Sequence, residues 1–262
     1  MSRHFRGQPS GGRHELGQNF LVDRSVITDV TRLVAATDGP ILEIGPGDGA
    51  LTRPLSRLGR PLTAVEVDPR RAKRLAEQTP AHVTVVNEDI LFHRLTGRPG
   101  VVVGNVPFHI TTATLRWLLA APHWRTAVLL VQWEVARRRA GIGGASLLTA
   151  RMWPWFDFTV HSRVSKRAFR PMPTVDGGLL VAHRRDTPLV TEREPYQRFV
   201  HAVFTGRGYG LREILTRSAG VPAPVAREWL RANRLSPTAL PRDLTAEQWA
   251  ALWTAKRGHQ RS

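Results

Sequence analysis

The sequence predicts a doubly wound, mostly parallel α/β sheet followed by a small all-α region. Three observations carry this. From residue 40, short apolar runs alternate with segments of helical period; a glycine-rich turn follows the first of those runs; and beyond residue 186 the strand signals stop while helical spacing continues. With 42% hydrophobic content in 262 residues, the chain has ample material for a core.

The elements follow in order. Residues 1–13 are rich in Gly, Ser, Arg and Pro without periodicity and read as a basic flexible arm. "PILEIG" (40–45) is a short apolar strand, and "GALTRPLSRLG" (49–59) a helix that tolerates Pro54 only because it lies near the first turns. "LTAVEVD" (62–68) is a second strand. In "DPRRAKRLAEQ" (68–78) Asp68 is an N-cap and Pro69 the first helical residue. "VTVVN" (83–87) and "GVVVGN" (100–105) are the third and fourth strands, followed by a helix over about 112–120 and by the strand "TAVLLVQ" (126–132). Helices between successive strands imply right-handed crossovers and parallel pairing. "FDFTVHSRVS" (156–165) and "GLLVAHR" (178–184) have no helix between them, so they should close the sheet as an antiparallel pair. "YQRFVHAVF", "VAREWLRA" and "AEQWAALW" then carry apolar residues at helical spacing. The expected organisation is the arm (1–13), a cofactor-binding catalytic domain (14–186) and a helical domain (187–262).

Composition narrows the chemistry. Thirty-eight Lys and Arg against 21 Asp and Glu leave a net charge of +17, the surplus expected of a chain that neutralises a phosphate backbone; a generally basic surface or contact with an anionic membrane is the alternative. Only Lys73, Lys166 and Lys256 are lysines, a bias that suits a GC-rich genome. The absence of cysteine excludes disulfides, thiolate metal sites and cysteine nucleophiles, and the 10 histidines form no H-E-x-x-H pair, so no metal is expected. No apolar run approaches the ~20 residues that span a bilayer, and the opening residues lack an apolar secretion segment. The expected location is the cytoplasm.

The first chemical motif, Glu43 to Gly49, sits where the first strand meets the first helix. Glycines there let the backbone turn sharply and approach a ligand at the carboxyl edge of the sheet. Gly45, Gly47 and Ala50 also fit a dinucleotide fingerprint, and Glu66 about 20 residues on could bind a ribose in either class, so the loop implies a nucleotide cofactor without naming it. Two acids favour S-adenosylmethionine over NAD. Glu43 would place a carboxylate near a bound sulfonium, and Asp89, after the third strand, could accept a hydrogen bond from the adenine amine.

"GNVPF" (104–108) ends the fourth strand beside that cofactor. Asn105 offers an amide, Pro107 restricts Val106 to extended geometry, and Phe108 offers a flat ring. Carbonyls of Asn105 and of Val106 or Pro107 could accept the two hydrogens of an exocyclic amine while Phe108 stacks on the base. Acceptors out of the ring plane would favour a tetrahedral nitrogen whose lone pair can attack a methyl group in line. The base must leave its stack to reach such a pocket.

Together "LGQNFL" (16–21), "LEIGPGDG" (42–49), "VEVD" (65–68), "EDIL" (88–91), "GNVPF" (104–108) and "FRPMPTVD" (169–176) resemble, in order, the rRNA adenine N6-methyltransferases. "QWEVARRRAG" and "TARMWPWFDF" are similar to the actinobacterial Erm type. The resemblance covers about residues 14–185. It implies a Rossmann-like class I methyltransferase fold, S-adenosylmethionine as cofactor, and methylation of one adenine of 23S rRNA before full ribosome assembly, by a monomer. The implied consequence is resistance to macrolide, lincosamide and streptogramin B antibiotics. It further implies cofactor contacts from Asn19 and Leu21, with Gln18 in the same motif, from Gly45 against the methionine part, Glu66 at the ribose, Asp89 at the adenine, and Asn105 toward both cofactor and target amine. Asn105, Val106, Pro107 and Phe108 form the implied catalytic set. Val106 stands where Ile or Leu is common, and "VDGG" replaces the usual "VDS" after the Pro-x-Pro segment.

Arg137 and Arg138, with Arg139 beside them, and Lys166, Arg167 and Arg170 are basic clusters that serve either as RNA phosphate contacts or as solvated faces. Trp153 and Trp155 read as packing residues rather than stacking platforms. Competing readings are a KsgA-type dimethyltransferase of small-subunit rRNA, which the "ARRRAG" and "WPWF" stretches oppose, and a non-catalytic RNA-binding relative, which the intact Asn-Val-Pro-Phe opposes. An NAD-dependent oxidoreductase would have no use for that motif.

Overall fold

The computed structural model describes residues 19–95 and 98–260. The basic arm and Gln18 lie outside the described residues. Nine strands and ten α-helices are described, β1 (Phe20–Leu21) to β9 (Gly177–Arg184) and α1 (Arg24–Ala35) to α10 (Ala246–Gln260).

A seven-stranded sheet has the order β4-β3-β2-β5-β6-β9-β7. β4 (Val83–Asn87), β3 (Leu62–Glu66), β2 (Ile41–Ile44), β5 (Val101–Asn105) and β6 (Thr126–Gln132) run parallel. β9 is antiparallel to both β6 and β7 (Phe156–Val164), so the last two long strands close the sheet as expected. Strand order reverses between β2 and β5, and this switch point opens a crevice at their carboxyl ends. Gly104 keeps the two strands close: a Cβ there would stand 2.6 Å from the Ile44 carbonyl oxygen.

The pleat sends alternate residues to opposite faces. Ile41, Val101, Val103, Val128 and Leu130 bury one face with Val30 and Val34 of α1 and Leu51 and Leu55 around α2 (Thr52–Ser56). Leu42, Val102, Leu129 and Val131 bury the other with Leu115, Leu118 and Leu119 of α4 (Thr111–Ala120). That second core runs on without a break into Tyr196, Phe199, Trp249 and Trp253 of the helical region, α7 (Arg193–Thr205), α8 (Leu211–Ser218), α9 (Ala223–Ala232) and α10. Trp155 meets Tyr196 edge-on, with ring centroids 5.6 Å apart, and the Tyr196 hydroxyl donates to the Ala150 carbonyl at 2.9 Å. Trp153 and Trp155 are buried, in keeping with the packing role.

Asp68 caps α3 (Pro69–Gln78) by accepting from the Arg70 and Arg71 N–H groups, with Pro69 at its first position. α2 is shorter than the helical pattern of 49–59 suggests, because residues 47–51 are spent on the glycine turn. Several elements carried no strong sequence signal. α1 is capped by Asp23, whose side chain accepts from the Ser25 and Val26 N–H groups. α5 (Trp133–Arg139) and α6 (Leu147–Met152) are only two turns or less. β1 pairs antiparallel with β8 (Phe169–Arg170), Phe20 opposite Arg170 and Leu21 opposite Phe169.

Candidate active site

The glycine turn after β2 forms the floor of a cleft. Gly45, Gly47 and Gly49 have φ of 62°, 56° and 81°, backbone that L side chains rarely adopt. A Cβ on Gly45 would meet no atom within 4 Å, so that backbone faces open space wide enough for a ligand to lie against it. The cleft is lined by Asn19, Phe20, Gly45, Gly47, Glu66, Asp89 and the run Asn105 to Ile110.

Glu66, 2% exposed at the end of β3, ties this floor together. Its Oε2 accepts the Gly47 N–H at 2.9 Å and its Oε1 the Asp68 N–H at 3.0 Å. Each carboxylate oxygen keeps a second lone pair for a ligand. Asp89 accepts the Leu91 N–H through Oδ1 at 2.9 Å, which orients the carboxylate from the loop after β4. The shape suits an adenosyl group: a bare glycine backbone, a buried carboxylate for vicinal hydroxyls and a second carboxylate for an amine.

Asn105 at the end of β5 donates from Nδ2 to the Asn19 carbonyl at 2.7 Å. That bond fixes which way the amide points, leaving Oδ1 as the acceptor on the other branch. The Val106 N–H donates to the Leu130 carbonyl at 3.0 Å, holding the turn to the sheet. Phe108 stands edge-on to Phe169, centroids 6.3 Å apart and planes at 68°.

Four expectations are corrected by this geometry. The Pro107 carbonyl already accepts from the Ile110 N–H (3.1 Å) and the Thr111 hydroxyl (3.2 Å), so it begins α4 rather than facing a substrate. The Val106 carbonyl accepts no hydrogen bond among the described residues and is the remaining candidate. Leu21, expected on the cofactor wall, is buried in the core at 4% exposure, and its neighbour Phe20 lines the cleft instead, since β1 alternates faces. Glu43 also misses the cleft: the pleat aims it at Thr52 of α2. Arg139 is 7% exposed and donates to the Ser146 and Thr149 hydroxyls, so it braces α5 against α6 and is no phosphate contact.

Glu43 is a buried acid with a consequence for stability. Burial pushes its carboxyl up to about 8; Thr52 opposes the shift and Glu66 adds to it. A carboxyl near 4.5 when unfolded and about 8 when folded stabilises the fold fully below the unfolded value. As pH rises from there through about 8 the unfolded state loses its proton first, and this contribution is lost. Glu43→Gln should therefore raise the melting temperature at pH 8.5 more than at pH 5, as differential scanning calorimetry would read; an equal shift at both pH values would contradict a neutral buried Glu43.

The remaining candidates lie outside the cleft lining, with differing exposure. Arg137 is half-buried and pairs with Glu134 at 3.1 Å, while Arg138 is exposed. Lys166 is half-buried and Arg167 exposed on the turn leading into Phe169, which touches Phe108, and Arg170 is exposed just after Phe169 in β8. Asp176 pins this turn by accepting the Lys166 N–H at 2.9 Å and pairing with Arg163; those hydrogen bonds hold its carboxyl below the usual range.

One residue escaped sequence reasoning. The Arg71 guanidinium lies 4.4 Å from the centre of the Phe20 ring and pairs with Asp48 at 3.0 Å, clamping Phe20 over Gly47. Nothing local marks this contact, because Phe20 and Asp48 come from two other segments. Among the described residues no group of three or more His, Asp or Glu could hold a metal ion, and no helix is long and apolar enough to cross a membrane.

Comparison with known proteins agrees with this geometry. The model of the family described as ribosomal RNA adenine dimethylase matches residues 10–254. The chain is 51% identical over 250 residues to the mycinamicin-resistance protein MyrB of Micromonospora griseorubida, covering 94% of this chain and 80% of that one. It is 54% identical over 209 residues to an rRNA adenine N-6-methyltransferase of Corynebacterium diphtheriae, covering 79% and 83% respectively. Its structure is similar to that of the 23S rRNA methyltransferase ErmE, with TM-score 0.84 and 36% identity over 91% of this chain and all of that one.

Proposed function

The chain belongs to the ribosomal RNA adenine dimethylase family, and on that premise we propose that it methylates N6 of one adenine in 23S rRNA. It is an S-adenosylmethionine-dependent rRNA methyltransferase of the Erm type, and its relatives connect it with macrolide resistance. The observation that carries the reading is the Asn105 amide, anchored through Nδ2 to the Asn19 carbonyl at the edge of a cleft floored by Gly45 and Glu66.

Bound S-adenosylmethionine supplies a methyl group on a positively charged sulfur. Gly45 would lie against its methionine part, Glu66 would accept from the ribose hydroxyls, Asp89 from the adenine amine, and Asn19 would close the cleft from the amino-terminal side. The target adenine, drawn from its stack, would rest on Phe108. Its N6 hydrogens would be accepted by Asn105 Oδ1 and the Val106 carbonyl, oxygens that turn the nitrogen lone pair toward the methyl group. The two oxygens would stabilise the positive charge that N6 gains on taking the methyl group, and solvent would accept the proton N6 then gives up.

Arg138, Arg167 and Arg170 are exposed and would suit phosphate contacts, with Arg137 and Lys166 half-exposed near them in sequence. The helical region, from residue 187 on, would extend this RNA-binding surface. The net charge of +17 favours an RNA not yet covered by ribosomal proteins, bound in the cytoplasm by a single copy of the chain.

Labelled methyl transfer from S-adenosylmethionine to protein-free 23S and 16S rRNA, with the modified base mapped, tests the reading. Label should fall on a single 23S adenine. Label on 16S rRNA would make the chain a small-subunit enzyme instead, and label on neither would overturn the activity.

A further inference from the structure

The chain has two tyrosines with opposite fates. Tyr196 is fully buried, whereas Tyr209 is 94% exposed, the most exposed of the large hydrophobic side chains among the described residues. It stands in the loop "GRGYG" (206–210) between α7 and α8, flanked by exposed Arg207 and Arg212.

This loop is rigidly mounted. Gly210 has φ 127°, and a Cβ there would stand 2.5 Å from the Thr238 Cα, so backbone packs directly on backbone. A Cβ on Gly206 would come within 2.7 Å of the Ser218 side chain. The Tyr209 N–H donates to Glu213 Oε2 at 2.8 Å, and Glu213 is itself paired with Arg217. An exposed ring costs solvation, and a stiff mount removes the entropy that ordering it against a partner would otherwise require.

Contacts link the loop to the segment after α5. The Leu211 N–H donates to the Ala239 carbonyl at 2.8 Å, and a few residues on the Arg242 carbonyl accepts the Ala145 N–H, also at 2.8 Å. A Cβ on Gly143 would lie 3.0 Å from Arg137 Nη2, at the end of the α5 that follows β6. These contacts tie the Tyr209 loop, through the 239–242 segment, to the loop after α5 that carries Arg137.

We propose that Tyr209 is a second base-stacking platform, on which an unpaired base of the substrate rRNA rests while the target adenine occupies the Phe108 cleft. The inference rests on the functional reading above and extends it to a specificity-determining contact remote from the chemistry. A flat ring between guanidinium groups matches an unstacked base followed by phosphates, since every base offers a π face on which an aromatic ring can stack. Only the backbone N–H of Tyr209 is hydrogen-bonded among the described residues, which leaves its 94% exposed ring free to meet a base.

Tyr209→Ala and Tyr209→Phe, compared with the wild-type chain on a labelled single-stranded 23S rRNA fragment containing the mapped adenine, test this. Fluorescence anisotropy should show binding of the alanine variant weakened ~10-fold and that of the phenylalanine variant near wild type. KM for RNA should rise with the alanine change, while kcat at saturating RNA and the Kd for S-adenosylmethionine stay unchanged. An alanine variant that binds as wild type, or a phenylalanine variant as weak as alanine, would sink the platform while leaving the methylation reading intact. A wild-type chain that methylates no rRNA would sink both.

Discussion

Asn105→Ala should lower kcat for methyl transfer by ~100- to 1000-fold, the range seen when a single polar group that stabilises developing charge is removed. The side chain has two jobs at once. Its Nδ2 holds the Asn19 carbonyl, and the same bond leaves Oδ1 facing the cleft. Alanine removes the acceptor that favours charge on the nucleophilic nitrogen and leaves the Asn19 oxygen without its donor. Loss of one neutral hydrogen bond costs the fold only ~1 kcal/mol, so the melting temperature should move by a few degrees while the rate collapses. Asn105→Asp separates the roles further: it keeps an oxygen but loses the N–H, and its charge would face the Asn19 carbonyl. Single-turnover rates at saturating S-adenosylmethionine and RNA, beside thermal melts, are the measurement. Retention of more than a tenth of wild-type kcat in the alanine variant would remove Asn105 from the catalytic set.

Glu66→Gln should weaken S-adenosylmethionine binding about 100-fold, with little further change in kcat once the cofactor is saturating. Both carboxylate oxygens accept backbone N–H groups, from Gly47 and from Asp68. A glutamine has one acceptor oxygen, so its NH2 must oppose one of those N–H groups in a site that is 2% exposed. The glycine floor then loses a tie, and the charged acceptor for ribose hydroxyls is gone. Charge-assisted hydrogen bonds are worth ~1.5–3 kcal/mol, and ~2.7 kcal/mol corresponds to a factor of about 100. Isothermal titration with S-adenosylmethionine reads this directly. Unchanged affinity would show that Glu66 serves the loop and not the cofactor.

Much of the site was legible from local pattern. Glycines that must adopt positive φ, an acid after each of two successive strands, and Asn-Val-Pro-Phe closing a valine run are all signals within a few residues of the chemistry they serve. Asp68 and Pro69 are equally local, since a cap and its helix are neighbours in sequence. Misreadings arose where direction rather than position mattered. Glu43 and Leu21 sit in the right strands but on the wrong face for the cleft, and Pro107 carries a carbonyl that α4 had already claimed. Arg139 looked like its neighbours Arg137 and Arg138, yet one step along a helix turns a side chain by about 100° and buries it.

By itself, then, the amino-acid sequence determined the sheet's alternation, the positions of its glycine turn and acids, and the motif set that names the family. Those depend on periods of two and 3.6 residues and on backbone preferences that act over one turn. Tertiary structure alone decided which carbonyl at the cleft is free, that Phe20 rather than Leu21 lines it, and that β1 pairs with β8 across some 150 residues. It also joined the helical region to the sheet through one aromatic core and left Tyr209 exposed between Arg207 and Arg212. The physical reason is the same in each case: side-chain direction and long-range pairing are settled by competition for burial and hydrogen bonds among distant segments, which no local pattern encodes.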